Sequence, residues 1–390
     1  MNQFNQLYSR RNTASVKWDL MEKIYSIPDA SKIIPMWVAD MDFAAPSSVT
    51  EAIQKRLEFP LYGYTFENDD CSHAVTTWLK RRHDWMVSND SVMYHQGVVP
   101  AISTIIEALS NEADEILVNS PVYPPFFNIP KKLDRTVLYS PFIENKGVYT
   151  FDFYHFEQQL ARPEVKIFIL CHPHNPAGIV WSAEVLQKID ELCFANNVII
   201  ISDEIHSDLV LGDTKHIPLA KISQHPENII TCVAPTKTFN LAGVQAAMMI
   251  SSDKKKRQLL QNTLAKHGQM GLNTFAIAAV QGAFSEQGEQ WLDELIPYLQ
   301  KNVDYVIDTI TTAVPSIHIQ KPDATYLVWL DIRDTGYAEK EIMQKLLNAG
   351  VALDPGTKYG KAYEGFLRMN IACPHATLVE AVSRFLTAFN

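Results

Sequence analysis

The chain of 390 residues has few cysteines, and they form no covalent or metal-binding framework. The thiols are odd in number, widely spaced and without a C-x-x-C pair; they are Cys71, Cys171, Cys193, Cys232 and Cys373. Disulfide scaffolds and zinc sites need grouped cysteines, so we expect reduced thiols. The run Cys171-His172-Pro173-His174 contains metal-ligand types, but no second group stands at a usual spacing, and we expect no metal.

Basic clusters and long apolar runs are also missing. The net charge is -10, and the one basic run, at 254–257, is short enough to be the exposed face of a helix. Nucleic-acid or anionic-membrane binding needs a larger basic surface. No stretch approaches the length of a membrane span, and the polar residues 1–5 show no secretory signal. We therefore expect a soluble, cytoplasmic protein without nucleic-acid or membrane partners.

The sequence does contain a regular alternation of short apolar runs with amphipathic segments. The apolar runs are predicted to be strands, at 91–94, 115–119, 136–139, 166–171, 198–202, 229–233 and 246–250. Several are apolar throughout, which is typical of a parallel sheet covered by helices on both faces. Amphipathic helices are predicted at 46–57, 71–83 and 182–196, the last with Ser182 as its N-cap.

The spacing of the elements changes after about residue 284. A long helix is predicted at 290–312, a strand at 326–331 and a helix at 340–349. The first forty residues have no clean period and are predicted to be an extended arm. We predict an α/β fold in three parts. They are an N-terminal arm and part of a small domain over 1–45, a large domain with a mostly parallel seven-stranded sheet over 46–285, and a smaller α+β domain over 286–390.

Polar residues follow several of the predicted strands. Ligands of open α/β sheets bind beyond the carboxyl ends of the strands, so these residues are candidates for chemistry. Gly97-Val98-Val99-Pro100 follows the first strand and precedes a helix predicted at 101–109, whose free amides and dipole favour a phosphate. Asn175 follows the fourth strand, where an Asn before Pro is also an ordinary turn former.

Asp203 and Glu204 end the fifth strand, and Lys237 follows the sixth. Buried carboxylates are costly, although one of the pair could simply cap a helix. Most lysines of a chain are solvated, but one removed from bulk water can have its pKa lowered enough to form a Schiff base with an aldehyde. A phosphate site, an amide, a carboxylate and a lysine at neighbouring strand ends together indicate the aldehyde cofactor pyridoxal 5'-phosphate (PLP).

The motifs that carry these residues occur along nearly the whole chain. They are Tyr62-Gly63-Tyr64, Asn119-Ser120-Pro121-Val122-Tyr123, His174-Asn175-Pro176-Ala177-Gly178, Ser202-Asp203-Glu204-Ile205-His206, Thr236-Lys237-Thr238-Phe239-Asn240 and Phe366-Leu367-Arg368-Met369-Asn370. In this combination the sequence resembles the fold-type I PLP-dependent enzymes of the aspartate aminotransferase superfamily. Residues 39–43, His206 and 368–374 are most similar to the cystathionine β-lyase or carbon–sulfur lyase subgroup.

The resemblance implies a role for each residue around the cofactor ring. Lys237 would hold PLP covalently and later move the proton of the substrate Cα. Asp203 would pair with the ring nitrogen and keep it protonated. Asn175 would donate to the 3' oxygen of the ring, near which His206 also stands, and Tyr123 would stack on the ring.

The resemblance also implies how the phosphate of the cofactor is bound. The amides of Val98 and Val99, together with Thr236, would hold it at the start of a helix. Tyr64 would reach the same phosphate from a partner subunit. The protein is therefore expected to be a homodimer whose active site is shared between the two subunits.

The substrate would lie between the cofactor and the small domain. Arg368 would bind its α-carboxylate as a bidentate pair, helped by the backbone near Val38 and Ala39. The expected reaction is α,β-elimination from L-cystathionine, related cysteine S-conjugates or L-cysteine, which yields a thiol or sulfide, pyruvate and ammonia. The leaving thiol would take its proton from Lys237 or Tyr64.

Two positions beside Lys237 depart from the broad aminotransferase pattern. Ala234 stands where a phosphate-binding Ser is common, and Gln245 stands where an Arg usually grips the phosphate. The phosphate site is therefore less positive, which favours the lyase subgroup over the ordinary aminotransferases. A PLP-dependent aminotransferase and a regulatory or binding protein on the same fold are the alternatives.

Overall fold

Seven of the eight predicted strands form one sheet in the computed structural model, which describes residues 2–389. In chain order the strands are β1 (Ile34–Pro35), β2 (Val92–His95), β3 (Glu115–Ser120), β4 (Thr136–Pro141), β5 (Ile143–Asn145), β6 (Val148–Thr150), β7 (Val165–Cys171), β8 (Ile199–Asp203), β9 (Ile229–Val233), β10 (Ala247–Ile250), β11 (His318–Ile319), β12 (Leu327–Asp331), β13 (Val351–Ala352), β14 (Asp354–Pro355) and β15 (Phe366–Asn370). The seven-stranded sheet has the order β2-β10-β9-β8-β7-β3-β4. Strand β10 is antiparallel to both of its neighbours, β2 and β9, and the other adjacent strands of this sheet pair in parallel. The predicted α/β fold with a mostly parallel sheet is confirmed.

Helices cover both faces of this sheet. In chain order the α-helices are α1 (Val16–Asp19), α2 (Met21–Tyr25), α3 (Ser47–Leu57), α4 (Asp69–His83), α5 (Val98–Leu109), α6 (Pro125–Lys132), α7 (Phe153–Leu160), α8 (Ala183–Ala195), α9 (Leu219–Ile222), α10 (Pro235–Thr238), α11 (Lys254–Lys266), α12 (Thr274–Ala283), α13 (Glu286–Ala313), α14 (Glu339–Ala349) and α15 (His375–Thr387). Neighbouring residues of β7 enter opposite cores. Ile167 packs in the cluster that holds Ile102 of α5, and Phe168 packs in the cluster that holds Leu186 of α8. This alternation follows from the strand period of two.

Several elements begin earlier than their sequence pattern predicts. Helix α5 begins at Val98 and not at 101, because Pro100 is tolerated in a first turn, where the missing amide needs no partner. Helix α13 begins at Glu286 behind an N-cap at Ser285, whose hydroxyl accepts from a backbone amide. The arm predicted as extended contains the short helices α1 and α2. These helices are too short to show a period in the sequence.

A second sheet lies in the C-terminal part of the chain. Its four strands have the order β11-β12-β15-β14. Strand β1 of the N-terminal segment pairs in parallel with β13, so this segment is attached to the C-terminal part of the chain. This pairing accords with an arm that belongs partly to the small domain, while the division at 45/46 and 285/286 stays a prediction. Within residues 2–389, no helix is both long and apolar enough to cross a bilayer, and no cluster of three or more potential metal ligands occurs.

Helices α3 and α12 approach each other closely at Gly282. A Cβ atom added there would lie 2.5 Å from the carbonyl oxygen of Ser48 and 2.8 Å from Cα of Val49. Because both neighbours are backbone atoms, they cannot rotate away. We expect Gly282→Ala to lower the free energy of unfolding by about 1–3 kcal/mol, measured by urea denaturation.

Gly243→Ala is the matched control for this substitution, because a Cβ atom at Gly243 meets no atom within 4 Å. The control should unfold at the urea concentration of the unmodified protein. Equal stability of the two variants would contradict the close packing of α3 on α12.

Candidate active site

Lys237 lies in a single helical turn at the carboxyl end of β9. The turn α10 begins with Pro235, a residue suited to a first helical position. The Lys237 Nζ donates a hydrogen bond of 2.7 Å to the carbonyl oxygen of Ala39. Burial, reinforced by the positive charge of Arg368, lowers the pKa of Lys237 to about 8. Much of the amine is therefore neutral and nucleophilic at mildly alkaline pH.

The backbone segment 37–43 faces Lys237 and is held by two asparagine side chains. Asn240, which follows the lysine turn, binds both the amide and the carbonyl of Met41 at 2.9 Å. Asn370, at the end of β15, donates to the carbonyl oxygen of Val38 at 2.5 Å. The segment is therefore fastened to the lysine turn on one side and to the four-stranded sheet on the other.

Cations of the N-terminal arm hold the same segment through its carboxylates. Lys17, with a side chain only 1% exposed, donates to Asp42 at 2.8 Å. Arg10 pairs with Asp40 at 2.7 Å and with Asp42 at 2.8 Å. Burial by itself raises the pKa of Asp42, but the charge of Lys17 and the hydrogen bonds outweigh it and hold that pKa below its usual range. No sequence pattern around Arg10 or Lys17 indicates this role.

Asp203 and Glu204 have different partners. Asp203 is buried and accepts a hydrogen bond of 3.1 Å from the amide of Ile205. Burial raises the pKa of Asp203 to about 7, and neither this bond nor the charge of Lys237 offsets the burial fully. Glu204 instead accepts from the amide of Leu219, the first residue of α9, so one of the pair does cap a helix. A cation beside Asp203 would restore its ionised form.

Arg368 and Asn175 meet at a buried position. Arg368 Nη1 donates to Asn175 Oδ1 at 3.0 Å, and Nη2 donates to the Trp37 carbonyl and to Asp354, both at 2.8 Å. Among residues 2–389, Arg368 Nε and His206 Nδ1 are buried without a hydrogen-bond partner. Burial, aided by nearby positive charge, lowers the pKa of His206 to about 3, so its ring is neutral. The neutral His206 ring therefore repels no cation at this position.

A cavity of about 170 Å³ joins most of the predicted site residues. Its lining includes Ala39, Gly97, Val98, Val99, Tyr123, Asn175, Asp203, His206, Thr236, Lys237 and Gln245. Val38 and Arg368 are outside the lining; Arg368 is bonded to Asn175, which lines the cavity, and Val38 precedes the lining residue Ala39 in the chain. Gln245 faces the cavity with a left-handed backbone (φ 62°), whereas Ala234 is buried and does not line it.

Tyr64 does not line the cavity of its own chain. It is 99% exposed, and Leu61, Tyr62 and Phe66 beside it are exposed as well. Single exposed apolar residues are ordinary, but a continuous group of them is typical of an interaction surface. The role expected of Tyr64 therefore requires a second chain.

Two residues near the cavity were missed by sequence reasoning. The Tyr326 hydroxyl donates at 3.0 Å to the Ala39 carbonyl oxygen, which also accepts from Lys237. Asp354 accepts from Arg368 and, at 3.0 Å, from the Tyr359 hydroxyl. Each lies at the edge of a short apolar run, which is a weak signal, and only the folded chain brings them to the cavity.

The groups around the cavity fit the chemistry of PLP. Lys237 offers an amine for the aldehyde, and Asp203 offers a buried carboxylate for the ring nitrogen. Helix α5 begins at the cavity, and its N-cap residue is Gly97. Because glycine has no side chain to cap the helix, the first amides of α5 can bind a phosphate. The neutral ring of His206 also lines the cavity, together with the Asn175 side chain.

Comparison with known proteins extends this likeness over the whole chain. The family described as Aminotransferase class I and II matches residues 31–385. The sequence is 43% identical over 389 residues to cystathionine beta-lyase PatB of Bacillus subtilis, covering 99% of this chain and 100% of that protein. The fold is similar to a PLP-bound putative aminotransferase from Clostridium difficile (TM-score 0.96, 39% identity, 100% of both chains). It is equally similar to cystalysin from Treponema denticola, which contains PLP (TM-score 0.96, 31% identity, 100% of this chain and 98% of that chain).

The Arg368–Asp354 ion pair should matter strongly for stability. Both side chains are buried, so Asp354→Asn leaves the guanidinium without its counterion. We expect a loss of about 3–5 kcal/mol in the free energy of unfolding, measured by urea denaturation.

Lys358→Gln is the control for Asp354→Asn, because Lys358 binds the same carboxylate at 2.8 Å with a side chain that is 41% exposed. An exposed partner of this kind contributes about 1 kcal/mol or less. The importance of the buried pair would be refuted if both variants lost the same small amount.

Proposed function

Since the chain belongs to the class I and II aminotransferase family, we propose that it is a PLP-dependent carbon–sulfur β-lyase. With one molecule of water, it cleaves L-cystathionine, related cysteine S-conjugates or L-cysteine into a thiol or sulfide, pyruvate and ammonia. One observation carries the proposal. Lys237 and Asp203 line the same cavity, where the pKa of the lysine is lowered and that of the aspartate is raised. The chain that holds them is 43% identical to a cystathionine beta-lyase.

The residues around the cofactor ring would act on the substrate proton. PLP, when bound, supplies a ring that accepts the charge left at Cα when its proton is removed. Lys237 would hold the cofactor and serve as the general base at Cα, which its lowered pKa supports. Asp203 would keep the ring nitrogen protonated, Asn175 and His206 would bind the ring oxygen, and Tyr123 would stack on the ring.

Other residues would bind the phosphate of the cofactor and the α-carboxylate of the substrate. The amides of Val98 and Val99 and the side chain of Thr236 bind the phosphate, a role that the uncapped start of α5 supports. Arg368 binds the α-carboxylate of the substrate together with the backbone of 38–39. The hydrogen bond from Arg368 Nη1 to Asn175 supports this role, because Asn175 lines the cavity and the bond places the guanidinium at its edge.

A PLP-dependent aminotransferase is the second candidate, which the name of the matched family favours. Both reactions begin with removal of the Cα proton by a base, and they differ in whether the Cβ–S bond then breaks. The exposed Gln245 at the cavity, in place of an arginine, supports the lyase. The products therefore decide between the two reactions.

The first test is the reaction of the purified protein with L-cystathionine. We expect visible absorbance from bound PLP and release of equal amounts of thiol and pyruvate. Lys237→Ala should lose elimination by roughly 10²–10⁴-fold or more, because a general base contributes that much. Pyruvate is measured by coupled reduction and thiol with a chromogenic disulfide.

Lys266→Ala is the control for Lys237→Ala, since Lys266 lies on the surface with a side chain 69% exposed. It should react like the unmodified protein. Consumption of a 2-oxo acid without any thiol would show an aminotransferase, and a wild-type protein without visible absorbance would refute a PLP enzyme.

We further infer a homodimer in which Tyr64 contributes to the active site of the partner. The exposed group at Leu61, Tyr62, Tyr64 and Phe66 supports this arrangement. If it holds, mixing Tyr64→Ala chains with Lys237→Ala chains creates heterodimers with one intact site. After dissociation and random reassembly, about a quarter of the wild-type elimination activity should return.

A mixture of Lys237→Ala with Asp203→Ala is the matched control for this experiment. Both residues line one cavity of one chain, so each site of their heterodimer stays defective. Recovery in the control, or no recovery with Tyr64→Ala, would rule out a site shared through Tyr64.

A further inference from the structure

A buried carboxylate lies behind the Lys237 turn and has no part in the proposed chemistry. Asp208 accepts from the Thr238 hydroxyl at 2.8 Å through one oxygen. Its other oxygen is bonded to Trp78 Nε1 at 3.1 Å and to His83 Nε2 at 2.8 Å, both on α4. We call these four residues the Asp208 network.

Asp208 is ionised within this network. Burial alone raises its pKa, but the hydrogen bonds to His83 and Thr238 and the charge of His83 outweigh it and hold the pKa below the usual range. An ionised carboxylate only accepts hydrogen bonds, so the Thr238 hydroxyl has to donate to it. Burying this charge costs free energy unless every partner is in place. The orientation of Thr238 is therefore fixed.

Thr238 is the chain neighbour of Lys237 in α10. This helix has four residues and no side-chain N-cap, and so short a helix is not stable without tertiary contacts. Thr238 is bonded to Asp208, which is bonded in turn to Trp78 and His83 of α4, so one side of the turn is linked to that helix. Asn240 holds its other side against Met41, in the segment that carries the Ala39 carbonyl. The turn is thus fastened from two directions.

The same network reaches the residues that follow Asp203. The His83 ring packs edge-to-face on His216 at 5.3 Å, and His216 Nε2 is bonded to Glu204 at 2.8 Å. Glu204 is the chain neighbour of Asp203. Buried side chains therefore connect the residue after Asp203 with the residue after Lys237, on the side away from the cavity.

We propose that Asp208 is a positioning residue, which through the Thr238 hydroxyl keeps the Lys237 amine at the Ala39 carbonyl. Its meaning for catalysis rests on the proposed lyase function, whereas its effect on the lysine does not. Without the Thr238 bond the turn is held from one side only. The amine then gains access to water, and the burial that lowers its pKa is reduced.

The test measures the pKa of Lys237 in the full chain freed of PLP. The rate of acetylation by acetic anhydride is followed against pH by mass spectrometry of the Lys237 peptide. The midpoint should lie at about 8 in the unmodified protein. Thr238→Val removes the hydroxyl at nearly constant shape and should raise the midpoint, so that the neutral amine at pH 8 falls roughly threefold or more.

Thr231→Val is the matched control, since its hydroxyl is buried on β9 but has no partner among residues 2–389. Thr231→Val should keep the midpoint of the unmodified protein. Thr238→Ser should keep it as well, because serine retains the hydroxyl. Asp208→Leu has no polar atom that could bond to Thr238, and it should raise the midpoint as Thr238→Val does. Equal midpoints for Thr238→Val and Thr231→Val would overturn the proposal, even if Asp208→Leu failed to fold.

The same measurement separates this inference from the proposed function. Acetylation of Lys237 requires neither PLP nor substrate. If the protein had no elimination activity but the pKa of Lys237 still rose in Thr238→Val, the lyase function would be refuted and the positioning role of Asp208 supported. An active lyase whose lysine does not respond would refute the Asp208 network alone.

Discussion

The hydrogen bond from Lys237 Nζ to the Ala39 carbonyl oxygen joins the two parts of the chain that form the cavity. The lysine turn belongs to the large sheet, whereas the carbonyl belongs to a segment fastened to the C-terminal sheet by Asn370. A backbone carbonyl can serve this purpose only if its segment is rigid. The cations Arg10 and Lys17 provide that rigidity. They form ion pairs with Asp40 and Asp42, the carboxylates on either side of Met41.

Burial shifts the charged groups of the cavity in opposite directions. It lowers the pKa of Lys237 and raises that of Asp203, because each group is less stable charged when it is removed from water. Arg368 remains charged beside Asp354 and keeps one nitrogen unpaired. The cavity therefore contains a nucleophilic amine and a carboxylate that lacks a cation, and the Arg368 cation is bonded to Asn175 at its edge. A cofactor with a cationic ring nitrogen and a substrate with a carboxylate complement these groups.

Much of the fold followed from local sequence patterns. Each strand of the large sheet was predicted within two residues at either end, because a buried strand is a short apolar run whatever its neighbours are. The positions of Asn175, Asp203 and Lys237 followed as well, since the carboxyl ends of parallel strands meet at one edge of a sheet. The start of α5 was missed because proline inside a first turn hides the helical pattern. The roles of the individual site residues and the division into domains stay predictions.

By itself, the sequence determined which residues stand at the strand ends and hence which chemical groups meet in the cavity. Only the tertiary structure decided which partners hold them. Ala39 and Lys237 are 198 residues apart, and Tyr326 reaches the same carbonyl across 287 residues. Asp208 reaches Thr238 in the same way, from another loop of the sheet. Contacts of this kind depend on how whole elements pack. The periodicity of a sequence pattern specifies which face of an element a residue occupies, but not what packs against that face.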